Sequence, residues 1–240
     1  MEDRVSQLVN TTWDDLQKTP EDQRFLIAIA GIPGSGKTTL SQILTKAINA
    51  RHAAAHPGAP PIAVTVPMDG FHLTRAQLSA MPDPARAHAR RGAEFTFDGA
   101  AYLALVRAVR SAPLTPLTQT PTITAPSFDH AVKDPRPGDI AVAPAQRLVV
   151  FEGNYVCLDR GPWREAAALM DRRWFVDVDF AVARRRLVRR HVRAGIAADE
   201  EEAARRADEN DLLNGREIVA ERVGVHEVVV SREDDAWVHE

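Results

Sequence analysis

The chain has 240 residues, 45% of them hydrophobic, with a formal net charge of −3. That is enough to bury a full core as one large domain, and it leaves no excess of basic residues to track a nucleic-acid backbone. No apolar run approaches the length of a bilayer span, and the single cysteine, Cys157, excludes an intrachain disulfide and a cysteine-based zinc site.

The first residues, Met1-Glu2-Asp3-Arg4, are too acidic for a typical presequence, so a cytoplasmic protein with no membrane and no nucleic-acid partner is expected. Val5, Leu8, Val9, Trp13 and Leu16 recur at helical spacing and Pro20 closes the run. The pattern predicts an amphipathic helix over 3–18, in an N-terminal segment 1–24 packed outside a main domain 25–240. Phe25 to Ala30 is apolar without alternation, as in a parallel-sheet strand buried on both faces.

That strand runs into Gly31-Ile32-Pro33-Gly34-Ser35-Gly36-Lys37-Thr38, with Leu40, Ile43, Leu44, Ala47 and Ile48 following at helical spacing. Gly, four residues, Gly-Lys-Thr between a strand and a helix is the Walker A phosphate loop. Its glycines let backbone N–H groups turn toward phosphate oxygens, and a positive helix end faces the anion. Lys37 reaches the terminal phosphates as a mobile point charge, and the Thr38 hydroxyl completes the coordination of a phosphate-bound Mg²⁺. The nucleotide-binding set is Gly31, Pro33, Gly34, Ser35, Gly36, Lys37, Thr38 and Thr39.

His52 to Pro61 reads as a surface connection, with Pro57 arguing against the helix that a His52–His56 metal pair would need. Ile62 to Pro67 is a second short strand ending in Met68-Asp69-Gly70-Phe71-His72. A carboxylate just past a strand can face the phosphate loop, which makes Asp69 the candidate catalytic base, with Phe71 and His72 as candidate substrate contacts. An ordinary Asp-Gly turn is the alternative, and His72 is equally suited to capping a helix. Arg90 and Arg91 could neutralise substrate charge or be solvated surface, while Asp98 is placed to cap the helix carrying Tyr102, Leu105, Val106 and Val109.

Prolines at 113, 116, 121, 126, 135, 137 and 144 predict a long excursion over the site, about 112–146, without regular structure beyond a few residues. Within it, Asp129 and His130 could hydrogen-bond substrate hydroxyls or equally belong to a mobile polar linker. Leu148 to Phe151 is a strand ending in Glu152-Gly153-Asn154-Tyr155, and Glu152 is the expected second part of the Mg²⁺ site. A crossover helix over 163–171 and a strand over 174–178 follow. Arg186, Arg189, Arg190 and Arg193 share a helical face, either a solvated basic helix or a lid over about 184–200 that lays guanidinium groups on transferring phosphoryl oxygens. The acids from Asp199 to Glu202 suit the start of a further helix, Asn214-Gly215 its stop, and Glu227 to Val230 a last strand.

In this order, the phosphate loop, Asp69-Gly70-Phe71-His72, Arg90-Arg91-Gly92 with Phe97-Asp98, Phe128-Asp129-His130, Glu152-Gly153-Asn154-Tyr155 and the arginine helix with Asn210-Asp211 resemble a known family. It is that of the small-metabolite kinases related to uridine kinase, bacterial pantothenate kinase and phosphoribulokinase. The resemblance covers about Phe25 to Val230 and is nearest the branch with the Asp-Gly-Phe-His and Glu-Gly-Asn-Tyr forms. It implies a three-layer α/β/α P-loop fold with a five-stranded, mostly parallel sheet and a helical lid. It further implies transfer of the γ-phosphoryl group of ATP, with Mg²⁺, to a hydroxyl of a nucleoside, a pantothenate-like alcohol or a sugar.

By the same resemblance Asp69 is the base, Glu152 lies near Mg²⁺, Arg186 and Arg190 sit on the lid, and Asp129 and His130 face the acceptor. Arg90 and Tyr155 join the substrate side, and Asn210 lies near the adenine edge. The alternative is a P-loop ATPase or nucleotide-dependent switch working with a protein partner; the Asn/Thr-Lys-x-Asp element that switch GTPases generally carry is absent. The acceptor's identity stays open, as does homodimerisation.

Overall fold

The computed structural model describes residues 2–114 and 120–232. The predicted first helix is α1 (Glu2–Lys18), and it is followed by β1 (Phe25–Gly31), every residue of which is buried. The two-sided burial expected for β1 has a simple origin. Leu26, Ala28 and Ala30 enter one core and Phe25, Ile27 and Ile29 the other, because successive side chains of a strand point to opposite faces. The second core is closed by Leu8 and Leu16 of α1 together with Leu40, Leu44 and Ile48 of α2 (Lys37–Ala55).

The remaining sheet strands are β2 (Ala63–Pro67), β5 (Leu148–Gly153), β6 (Arg172–Asp177) and β7 (Glu227–Val230). They pair in the order β2-β5-β1-β6-β7, every pair parallel. All five carboxyl ends therefore lie along one edge, with β1 central, and in open α/β sheets this is the edge where ligands bind. Two short helices, α3 (Arg75–Ser79) and α4 (Pro84–Ala89), follow β2 in the chain. On the first core's side lie α5 (Gly99–Ser111), started by the predicted Asp98 cap on the Ala101 N–H, and α6 (Trp163–Ala168). No helix among the described residues is long and apolar enough to cross a membrane.

Three expectations are corrected. Helix α2 continues through His52 to Ala55 and caps at His56, because a proline restricts the residue before it and leaves the preceding turn intact. The His52 and His56 rings lie 4.8 Å apart, and no group of three or more metal-ligating side chains occurs among the described residues.

The Pro-rich excursion is instead an antiparallel hairpin, β3 (Ile123–Asp129) with β4 (Asp134–Val142); Pro116 falls outside the described residues. A two-stranded ribbon leaves one edge of each strand unpaired, so Pro135 and Pro137 fit in β4, and Pro126 sits where the register shifts between Ala125 and Ser127. The hairpin is rooted in the core by Ala125 and Val142, both fully buried.

Nor does the chain stop at Asn214-Gly215. From α8 (Glu200–Arg206), capped by Asp199, it passes through a π-helical turn (Ala207–Asp211) directly into α9 (Leu212–Ala220). Gly215 is there for close approach, since a β-carbon on it would sit 3.3 Å from both Ile32 and Phe180.

The hairpin docks on the 3-10 turn Met68–Phe71 through Gly70, where an added β-carbon would lie 2.0 Å from the Pro126 carbonyl oxygen. Gly70→Ala is therefore expected to lower stability by about 1–3 kcal/mol. A shift of the urea midpoint to lower concentration measures it; an unchanged midpoint would mean the hairpin is not packed there.

Candidate active site

The phosphate loop is held open by two left-handed glycines, Gly34 (φ 80°) and Gly36 (φ 92°). Gly36 also occupies the cap position of α2 without any side-chain cap, and no acidic residue stands in the first turn. The N-terminal N–H groups of this 19-residue helix thus have no competing side-chain acceptor, an arrangement suited to phosphate. The Ser35 hydroxyl is buried and has no hydrogen-bond partner among the described residues.

Helix α7 (Phe180–Arg193) lies directly on the loop; a β-carbon at Gly34 would be 2.9 Å from the Ala183 carbonyl oxygen. Arg186 donates from Nη1 to the Gly34 carbonyl at 3.2 Å and to Ser231 Oγ at 2.9 Å, and from Nη2 to the Arg232 carbonyl at 2.8 Å.

Strands β2 and β5 pair Pro67 with Glu152, so the turn after β2 sets Asp69 beside the end of β5. Glu152 is 5% exposed, and the Thr38 hydroxyl lies 3.3 Å from each of its oxygens. Burial raises the Glu152 carboxyl to about 7, against the opposing pull of Lys37. Lys37 is half-buried at the cavity wall, and loss of solvation there lowers its pKa against the charges of Glu152, Asp69 and Asp211. Thr38 and Glu152 together form a pair of hard oxygen donors, one neutral and one carboxylate, which is the chemistry a Mg²⁺ ion takes.

A cavity of about 460 Å³ runs from this trio outward. Near the loop it is lined by Pro33, Lys37, Thr38, Asp69 and Glu152, and under the hairpin by His72, Arg91, Phe97, Phe128, His130 and Lys133. The His72 ring lies between Phe97 (4.0 Å) and Phe128 (4.8 Å), and its Nδ1–H donates to the Asp69 carbonyl at 2.8 Å. Its pKa is lowered, first by burial and then by the nearby Arg91 and His130, against the raising effect of Asp69.

Helix α7 contributes Arg190 and His191, and the latter, 3% exposed, meets Asp211 Oδ2 through Nε2 at 2.8 Å. Asp211 ends the π-helical turn; π turns often occur at functional sites.

Several predicted residues lie outside this cavity. Phe71 is a core residue packed edge-on to Tyr102 at 5.4 Å. The Tyr155 hydroxyl donates to the Gly92 carbonyl at 2.9 Å. Arg90 donates to Asn210 Oδ1 (2.9 Å) and Asn214 Oδ1 (2.6 Å), and Asn210 returns a bond to the Arg91 carbonyl at 3.0 Å.

Asp129 builds the hairpin tip: its Oδ1 accepts from the Ala131 and Val132 N–H groups and its Oδ2 from Arg136. These four polar residues hold the cavity's walls in place. Of the arginine pair, Arg91 lines the cavity and Arg90 does not. Lys133, Phe128, Asn154, Arg206 and the His191–Asp211 pair also line it, and nothing in sequence spacing joins His191 to Asp211.

The model of the family described as Phosphoribulokinase / Uridine kinase family matches residues 26–203. An "ATP-dependent kinase-like protein notR'" of Aspergillus versicolor is 54% identical over 162 residues, covering 68% of this chain and 92% of that one. The Schizosaccharomyces pombe protein C227.14, whose name ties it to uridine kinase, is 44% identical over 192 residues, covering 80% of this chain and 77% of its own. Among solved structures, YFH7 of Saccharomyces cerevisiae superposes with a TM-score of 0.83 at 25% identity, covering 96% of this chain and 99% of that chain.

The raised Glu152 pKa has a thermodynamic consequence. Between the unfolded value near 4.5 and the folded value near 7, the unfolded chain gives up this proton first, so the group's contribution to stability falls as pH rises through that window. Glu152→Gln should remove that loss, so that the variant's stability at pH 8 exceeds wild type by about 2–3 kcal/mol while the two converge at pH 4.5. Urea unfolding at the two pH values measures the difference; parallel pH profiles would contradict it.

Proposed function

The chain belongs to the phosphoribulokinase/uridine kinase family and is a P-loop phosphotransferase with an alcohol acceptor, and from this premise we propose that it moves the γ-phosphoryl group of ATP to a hydroxyl of a small metabolite. The observation that carries the reading is the single cavity that begins at Lys37 and Thr38, passes Asp69 and continues under the hairpin into an aromatic and polar chamber. A site that only hydrolysed nucleotide would have no use for the second chamber.

In this reading Gly31, Pro33, Gly34, Ser35, Gly36, Lys37, Thr38 and Thr39 cradle the phosphates. Thr38 and Glu152 would hold Mg²⁺, which supplies neutralisation of phosphate charge when bound. Asp69 accepts the proton of the attacking hydroxyl as the bond from that oxygen to the γ-phosphorus forms. The bond from phosphorus to the bridging oxygen breaks, and ADP leaves. Lys37, from the loop, and Arg190, from α7, face the equatorial oxygens, so catalysis is positioning and electrostatics.

The same reading assigns Arg186 to holding the loop against α7, since its guanidinium is engaged with the Gly34 carbonyl. Asn210, Arg90 and Tyr155 fix the Arg90–Gly92 segment. His72, carried by the turn that holds Asp69, orients that carboxylate's backbone, and His130 faces the acceptor. Helix α7 with α8 serves as the lid, and the hairpin as the acceptor wall of a catalytic unit spanning 25–240.

Asp69→Asn should leave nucleotide affinity within about twofold of wild type and cut acceptor-dependent ADP formation by about 10²–10⁴-fold. A coupled ADP assay on a panel of nucleosides, vitamins and sugars, with Lys37→Ala as blank, measures it. Full activity in Asp69→Asn would remove the base assignment.

A further inference from the structure

Half-buried arginines in this fold act as ties, and Arg206 is the exception. Among the described residues, every other half-buried arginine donates to a carbonyl or a side-chain oxygen, as Arg91 does to the Leu73 carbonyl, Arg160 to Glu221 and Arg184 to Asp208. Arg206 is half-buried, lines the cavity and makes no hydrogen bond or ion pair to any described residue. Its Nε is enclosed by protein, whereas neither Nη is, so the outer fork of the guanidinium is the part free to meet a ligand. Partial burial costs a guanidinium some of its hydration, and no protein acceptor makes up the loss.

A departure from α-helical geometry puts Arg206 on the cavity wall. It ends α8 and leads into the π-helical turn, where the Leu212 N–H bonds to the Ala207 carbonyl. In an α-helix residues three and four apart share a face, whereas i→i+5 bonding brings residues five apart into line. Arg206 and Asp211 are five apart, and both line the cavity. Asp211 is held by His191 at 2.8 Å and makes no ion pair with Arg206.

The same wall serves the phosphate-loop end. Arg190 and Asp211, which line the cavity with Arg206, both act on the Lys37 ammonium. Asp69, Glu152 and Asp211 all act on it too, so terminal phosphates arriving on the loop meet three carboxylates against two cations, Lys37 and Arg190. A planar fork of N–H donors on the lid matches phosphoryl oxygens better than a point charge does.

We propose that Arg206 is a second lid arginine of the phosphoryl transfer, its Nη groups bonding nonbridging oxygens of the γ-phosphoryl group from α8 as Arg190 does from α7. The π-helical turn is the element that lets both helices reach the same group. The proposal deepens the kinase reading and rests on it for the reaction, while contact with the bound γ-phosphoryl group needs no acceptor. The bonds made and broken are unchanged; Arg206 neutralises charge on oxygens that stay attached to phosphorus.

The test titrates the full-length protein calorimetrically, with Mg²⁺ present, with AMP-PNP and with ADP. Arg206→Gln should weaken AMP-PNP by at least about tenfold and leave ADP, which lacks the γ-phosphoryl group, within about twofold of wild type. Arg206→Lys keeps the charge without the fork and should fall between, and it carries the same comparison of the two nucleotides if Arg206→Gln fails to fold. Arg205→Gln, which removes an exposed arginine paired with Glu201 on the same helix, should match wild type. Wild-type AMP-PNP affinity in the Arg206 variants, or equal losses for both nucleotides, would overturn the proposal.

With an alcohol that raises ADP formation, Arg206→Gln should lower kcat by about 10²–10³-fold with the acceptor KM within about threefold, and low-millimolar guanidinium should restore part of the rate. Unchanged kcat overturns the proposal and leaves the kinase reading intact. Selective loss of AMP-PNP binding, with no alcohol raising ADP above the Lys37→Ala blank, supports the Arg206 contact and counts against the kinase reading alone.

Discussion

The structure turns on keeping one ammonium, Lys37, among carboxylates at a half-buried point on the sheet edge. Desolvation works against the charge on both sides, lowering the Lys37 pKa and raising that of Glu152 to about 7, and only mutual proximity offsets it. That proximity has to be built by the backbone. Parallel pairing of β2, β5 and β1 brings three strand ends into line, and the left-handed glycines turn the chain from β1 into α2 within the same few ångströms. Local geometry, sheet order and electrostatics converge on this one position, which is how a sequence specifies a site on a fold.

Around that point the arginines act mainly as ties. Arg186 joins α7 to the phosphate loop and to residues just after β7, and Arg90 joins the Asp69-side segment to Asn210 and Asn214 on the helix that returns from the lid. His191 and Asp211 link α7 to the π-helical turn. Helix α7 is therefore tied both to the phosphate loop and to the π-helical turn, and in the proposed lid role its closure over a substrate would move these contacts as a group.

Much of the fold was legible because its causes are local. The uninterrupted apolar run Phe25 to Ala30 predicts burial on both faces, the phosphate loop demands its flanking strand and helix, and Asp98 and Asp199 cap the helices they precede. Asp69 and Glu152 were legible for the same reason: each closes an apolar run, and strand ends of a parallel sheet share an edge.

The features that sequence pattern did not reveal share a cause as well. Prolines between 121 and 144 suggested irregular chain, but proline excludes only a ladder position with a partner on its N–H side, and a two-stranded ribbon has few of those. Asp129, Arg90, Asn210 and Tyr155 have the chemistry of substrate ligands, yet their hydrogen bonds go to the Ala131 and Val132 N–H groups, to each other and to the Gly92 carbonyl. Composition shows what a side chain can bind; only the fold shows which partner reaches it first. His191 with Asp211, separated by 20 positions on different helical segments, leaves no periodic trace at all.

Direct transfer requires donor and acceptor to sit together in the one cavity that opens from the phosphate loop. Phosphorus-31 NMR of the protein turning over ATP with an alcohol that raises ADP formation follows the γ-phosphorus itself. A new phosphomonoester resonance growing in step with ADP, with inorganic phosphate at background, is expected. Inorganic phosphate growing in step with ADP, with no phosphomonoester from any alcohol, would contradict it.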